Sequence, residues 1–223
     1  LAVKAGGFVN NGTISMSGNL SFGAVDDLPN PIVNNGQITT GSLSSVWSAG
    51  FHNAEGSVLD VQSGTLNLAN EFINDGTIII HEELANFQSS PRVIFGANSV
   101  IKGKDGQLVS VKVEKEFENN NKAFEVVNFE ANNVRNNGSI IAHGEFIAAN
   151  YYSSQDSKLV VDGTASIGYV TDQAFGSLQA GTLHIVQSAV SNLSSITADK
   201  MIIGSSASLN NLQSLSVKNL EVH

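Results

Sequence analysis

The chain has 223 residues, of which 41% are hydrophobic and 14% charged, with 20 acidic residues against 11 Lys and Arg. A net charge of −9, with Arg92 and Arg135 as the only arginines, argues against a nucleic-acid surface or an anionic-membrane binder. The absence of cysteine excludes a disulfide scaffold, a thiol nucleophile and a cysteine metal site, and no stretch is long and apolar enough to span a bilayer.

One phrase recurs along the chain. Phe8-Val9-Asn10-Asn11-Gly12-Thr13-Ile14 is answered by Ile32-Val33-Asn34-Asn35-Gly36-Gln37-Ile38, then by Phe72-Ile73-Asn74-Asp75-Gly76-Thr77-Ile78 and Val134-Arg135-Asn136-Asn137-Gly138-Ser139-Ile140. A further copy, Phe51-His52-Asn53-Ala54-Glu55-Gly56-Ser57-Val58, carries one extra residue before its glycine. From Gly12 to Gly36 is 24 residues, and Gly36 to Gly56 and Gly56 to Gly76 are 20 each. Such a period fits one coil of a parallel β-helix, three short strands joined by turns. Between the copies lie alternating phrases such as Ser17-Gly18-Asn19-Leu20-Ser21-Phe22, Ser63-Gly64-Thr65-Leu66-Asn67-Leu68 and His143-Gly144-Glu145-Phe146-Ile147-Ala148, the period of a strand with one buried face. No helical period is sustained. The expected fold is all-β, a parallel β-helix of about ten coils at about 22 residues each.

Parity places the asparagines. Phe8 and Asn10, Phe72 and Asn74, and Val134 and Asn136 share one side of their strands. If the apolar residue points inward, so does the asparagine. Coils stacked about 4.8 Å apart let each amide bond its equivalent above and below. The predicted column is Asn10, Asn34, Asn53, Asn74 and Asn136. The glycine is expected to give the corner its backbone freedom, including positive φ. An isolated Asn-Gly would read as a hairpin turn, but a hairpin leaves the apolar residue two places earlier unexplained. Gly106, Gly163, Gly181 and Gly204 are expected to mark further corners.

Gly23 to Pro31 lengthens the first coil into a protruding turn stiffened by Pro29 and Pro31 and carrying Asp26 and Asp27. Residues 89–130 break the rhythm, either as divergent coils or as a strand-hairpin excursion, between β-helix coils over 1–88 and 131–223. Insertions in solenoids often map to the binding face, so Lys112, Glu114, Glu116, Asn120 and Lys122, with Tyr151 and Tyr152 further on, form the candidate binding surface. The alternating Lys and Glu of this stretch also fit a solvated strand face. Phe8, Phe22, Phe51 and Phe72 fall at repeat-phase positions and read as core; Trp47 is less regular.

Catalytic candidates are weak. Asp26 with Asp27, and Glu82 with Glu83, are neighbours that on a strand would point to opposite faces, so neither makes a convincing acid/base couple, and a solvated turn is the preferred reading of both. His81 and His143 each lie five residues after a repeat glycine and could meet as metal ligands only if 89–130 were one outlying insertion. No cofactor or metal is expected, and no calcium repeat, phosphate-cradling loop or nucleophile elbow is present. The outward asparagines Asn11 and Asn137 sit in Asn-x-Ser/Thr sequons, as do Asn19 and Asn192.

The hydrophobic-x-Asn-x-Gly-x-Ile phrase, followed by Gly-x-Leu-x-Leu, resembles the repeats of filamentous haemagglutinin. It is also similar to related exoproteins of two-partner secretion, including the stalks of contact-dependent inhibition toxins. The resemblance covers residues 1–88 and 128–152 clearly and the C-terminal third loosely. It implies a right-handed parallel β-helix, secreted to the bacterial cell surface through an outer-membrane transporter. There it would be a non-catalytic adhesin shaft or toxin-delivery stalk, meeting a receptor or glycan on a host or target bacterial cell. The start at Leu1 within a repeat phrase, with neither end reading as a polar cap, fits a segment of a longer exported protein. The alternatives are a β-helix polysaccharide-degrading enzyme, which needs converging carboxylates in a groove, and an autotransporter passenger domain.

Overall fold

A computed structural model describes residues 2–4, 7–23, 31–46, 50–174, 176–187, 189–191, 193–210 and 213–223. Asp26, Asp27, Trp47 and Asn192, singled out above, lie outside the described residues. Every regular element among the described residues is a strand, and the strands stack in parallel as a β-solenoid of about 9 turns. Two compact units are present, Leu1–Lys115 and Glu116–His223.

In the first unit each coil contributes one strand to each of three stacks. The first stack runs Phe8–Asn10, Ile32–Asn34, Phe51–Asn53, Phe72–Asn74 and Arg92–Phe95. It is in register as Phe8↔Ile32↔Phe51↔Phe72↔Val93. The second aligns Ile14↔Ile38↔Leu59↔Ile78↔Ile101, and the third Leu20↔Leu43↔Leu66↔Phe87↔Val113. Like stacks on like because a parallel ladder with one buried face repeats its inward residues at the coil period. Rings within and between coils then pack into a chain, Phe22 to Phe51 at 6.0 Å, Phe51 to Phe72 at 5.7 Å and Phe72 to Phe87 at 5.3 Å between centroids.

The second unit keeps the plan with shorter coils. Phe124↔Ile140↔Leu159↔Leu178↔Ile196 forms one inward column and Phe129↔Phe146↔Ala165↔Leu183↔Met201 another, and Leu215 and Leu220 continue them in register as exposed residues. Asn136 pairs with Ser153, an interval of 17 residues, whereas the coils above Asn10 and Asn34 take 24 and 19. Within 89–130, Arg92–Phe95 and Val100–Gly103 stack parallel on Phe72–Asn74 and Thr77–Ile80, and Phe124–Val126 stacks on residues 140–142.

The corner glycines work differently from expectation. Among the described glycines only Gly56 and Gly106 have positive φ, at 77° and 85°. A Cβ at Gly36 would instead run into the carbonyl oxygen of Gly12, and one at Gly138 into that of Asn121. Glycine is needed because the coil below approaches too closely for a side chain. Gly36→Ala should therefore cost about 1–3 kcal/mol as an overpacked contact. Gly12→Ala, whose added methyl meets nothing within 4 Å, should stay within about 0.5 kcal/mol. Denaturant midpoints of the two variants check the contrast.

Candidate functional site

The inward asparagines form a hydrogen-bonded column. Asn10 Nδ2 donates to Asn34 Oδ1, Asn34 Nδ2 to Asn53 Oδ1 and Asn53 Nδ2 to Asn74 Oδ1, each at 2.8 Å. The second N–H of Asn34 goes to the backbone oxygen of Val58 at 3.0 Å, and that of Asn53 to Thr77 O at 3.2 Å. Each side chain thus ties its coil to the next twice. In the second unit Asn119 Nδ2 donates to Asn136 Oδ1 at 2.9 Å, and Asn136 Nδ2 donates to Lys158 O at 2.8 Å. Asn119 was missed in the sequence because Asn121 stands where the glycine should be. The signal was Phe117, two positions before Asn119 as in the other copies.

Tyr151 does not belong to a binding surface. It lies in register with inward Val134 and is 0% exposed. Its hydroxyl accepts from Asn136 Nδ2 at 3.2 Å, closing the column. Burial pushes the phenol up to about 12, with hydrogen bonds from Asn136 and Ser153 opposing. Tyr152 is the outward member of the pair.

The outer side chains of the second unit are joined across coils. Arg135 Nε donates to Glu116 Oε1 at 3.1 Å, and its guanidinium carbon lies 4.8 Å from the centre of the Tyr152 ring, a cation–π contact. Asn137 Nδ2 donates to Asn120 Oδ1 at 3.0 Å, Asn120 Nδ2 to Glu118 Oε1 at 3.1 Å, and Asn150 Nδ2 to Asn133 Oδ1 at 2.8 Å. Tyr169, in register with Asn150, is 45% exposed. Glu116, Asn120 and Tyr152 of the candidate surface thus share one polar, ring-bearing region with Arg135, an outward residue by parity. Lys122 is exposed. Lys112 and Glu114 belong to the first unit, where Glu114 accepts from Ser89 N at 3.0 Å.

The histidines bridge neighbouring coils. His52 Nε2 is 2.7 Å from Asp75 Oδ2 and His81 Nε2 is 2.8 Å from Asp60 Oδ1. His143 sits between two carboxylates, with Nε2 2.7 Å from Glu125 and Nδ1 2.7 Å from Asp162. His81 and His143 fall in different units, each spoken for by its own carboxylates. Glu125 and Asp162 bond opposite edges of the His143 ring, so the trio does not converge on one point. Among the described residues no group of three or more His, Asp and Glu side chains is placed to hold a metal. Glu82 and Glu83 lie in a bend and are both exposed, as the solvated-turn reading expects.

Hydrogen bonds to Glu125, then to Asp162, hold the His143 imidazolium above the ordinary imidazole range, with desolvation opposing. Its folded pKa exceeds its unfolded one. The stabilisation is therefore complete below the unfolded value of about 6.5 and fades as pH rises through the folded value. Solvent exposure keeps it small. In an NMR titration, Glu125→Gln should move the His143 midpoint down.

Comparison with protein-family models, with curated proteins and with solved structures finds no match. The class of protein rests on its own geometry, a parallel β-solenoid with an asparagine column in its interior.

Proposed function

We propose that the chain is a non-catalytic segment of a secreted bacterial surface exoprotein, a shaft or stalk carrying an adhesin or toxin function. The observation that carries the reading is where the polar side chains go. The buried amides bind coil to coil, and the imidazoles pair with carboxylates across the outer surface. This chemistry holds repeats in register. The enzyme alternative needs two converging carboxylates, whereas Glu125 and Asp162 are each paired with His143, on opposite edges of its ring. A cysteine-free chain suits export across membranes in an unfolded state, with an outer-membrane transporter as its transient partner. The region around Arg135 and Tyr152 is the face offered to a cell-surface receptor or glycan.

Two measurements test this. Antibody against the chain should label intact producing cells, and purified protein should release no new ends from bacterial or host polysaccharides. Labelling that appears only after lysis would overturn the export reading, and sugar fragments would overturn the non-catalytic one. Fluorescently labelled protein on host and bacterial cells then separates the roles. Binding that disappears with Arg135→Ala plus Tyr152→Ala marks a recognition face, and no binding marks a plain shaft.

A further inference from the structure

Three repeat corners place two asparagines back to back before a glycine. The first points inward: Asn10 is 6% exposed, and Asn34 and Asn136 are 0% exposed. The second, Asn11, Asn35 or Asn137, is exposed. Asn-Gly is a chemically vulnerable pair, because glycine without a Cβ lets its backbone nitrogen approach the preceding side chain. That nitrogen can attack Cγ of the asparagine and give up its proton. A C–N bond forms, Nδ2 leaves as ammonia, and a succinimide ring remains. Water then opens the ring to aspartate or isoaspartate.

In this fold the attacking nitrogen is occupied. Gly12 N donates to Asn10 Oδ1 at 3.2 Å, Gly36 N to Asn34 Oδ1 at 3.3 Å, and Gly138 N to Asn136 Oδ1 at 3.3 Å. The leaving amide is held as well in two cases, Asn35 Nδ2 by Asn11 Oδ1 at 2.9 Å and Asn137 Nδ2 by Asn120 Oδ1 at 3.0 Å. At the fourth corner Gly76 N donates to the backbone oxygen of Asn53 at 3.1 Å, and the outer residue is Asp75, which has no amide to lose. We propose that Asn11, Asn35 and Asn137 are latent succinimide-forming modification sites, kept closed by the side-chain oxygen of the inward asparagine before each. The inner column then has two duties, joining coils and shielding the outer asparagines. Each conversion would add a negative charge to the outer surface, and at Asn35 or Asn137 it would also remove the donor of an outer rung.

Incubation of the folded protein in warm, mildly alkaline buffer, followed by peptide mapping for the one-dalton gain, tests this. Asn136→Ala should speed conversion of Asn137 about tenfold, equivalent to about 1.4 kcal/mol and comparable to one hydrogen bond. Asn11 and Asn35 serve as unchanged clocks in the same chain. Asn136→Asp keeps the acceptor for Gly138 N while losing the donors, so Asn137 should convert at the wild-type rate. Equal acceleration in both variants would mean that general rigidity protects Asn137, and would overturn the proposal, as would no acceleration in Asn136→Ala. Should that variant unfold its unit, amide exchange on the wild type decides: the Gly36 and Gly138 N–H groups must exchange slowly, and unprotected rates would overturn the proposal.

Discussion

Phe129→Ala is expected to lower the stability of its unit by about 3–5 kcal/mol, the range for deleting a buried aromatic ring. Phe129 is 1% exposed. Its ring stacks on Phe146 at 5.3 Å and 15°, tilts against Phe117 at 4.8 Å, and meets Phe124 edge-on at 5.9 Å. Truncation opens a cavity walled by three rings that are fixed by their own strands and cannot collapse inward. Phe129→Leu should recover about half of the loss, because it restores volume without the ring geometry. Gln179→Ala, at an exposed position on another strand of the same unit, should stay within about 0.5 kcal/mol. Urea unfolding followed by far-UV circular dichroism reads all three. A solenoid couples mainly nearest neighbours, so hydrogen exchange should quicken first in the strands bearing Phe117, Phe124 and Phe146. A loss below about 1 kcal/mol would mean the aromatic chain merely fills space that other side chains can take over.

The β-solenoid could be read from the sequence because a parallel stack demands the same kind of residue at the same register in every coil. Hydrophobic-x-Asn-x-Gly-x-Ile is that demand written out. Phe8, Asn10 and Gly12 each answer to a different neighbour in the next coil, so all three repeat together. The reading faltered where the coil length changed. A 22-residue period carries Val134 past Tyr151, whereas the actual interval of 17 pairs the two and turns Tyr151 inward. Asn119 was lost for a related reason. Its corner uses Asn121, whose backbone N–H donates to Asn119 Oδ1 at 3.1 Å, the bond that Gly12, Gly36 and Gly138 make in their copies. The hydrogen bond needs only a backbone N–H, so the corner does not require glycine there.

The outer region was harder to foresee. Sequence parity can assign Arg135 to the outside, but its partners Glu116 and Tyr152 come from the coils before and after. Outward residues carry no packing constraint that would repeat along the chain, so their meeting depends on coil lengths that periodicity leaves undetermined. The glycine corners show the converse case. Position was legible and cause was not, since close approach of a carbonyl and positive φ both select glycine.

Asn53→Ala should cost about 3–5 kcal/mol, more than Asn74→Ala, even though the two residues have the same chemistry and burial. Asn53 is 0% exposed and works in both directions. It accepts from Asn34 Nδ2 and from Ser57 Oγ, and it donates to Asn74 Oδ1 and Thr77 O. Alanine strands one N–H of Asn34, the side-chain oxygen of Asn74 and the carbonyl of Thr77 away from water. Each orphan costs about 1–3 kcal/mol, with less than full additivity because neighbours relax. Asn53→Leu would rescue little, since an apolar side chain of similar size leaves the same groups unpaired. Asn74 stands where the column ends. The next coil offers Phe95 at its register, and the Asn74 amide turns to Val100 O at 3.4 Å instead. Losing Asn74 therefore strands fewer groups. Urea midpoints of Asn53→Ala, Asn74→Ala and the double variant close a cycle whose coupling should exceed about 1 kcal/mol. Equal single losses with no coupling would show that the amides act one coil at a time. A large coupling would show that the column stabilises as a chain, in which each bond is strengthened by the one beneath it.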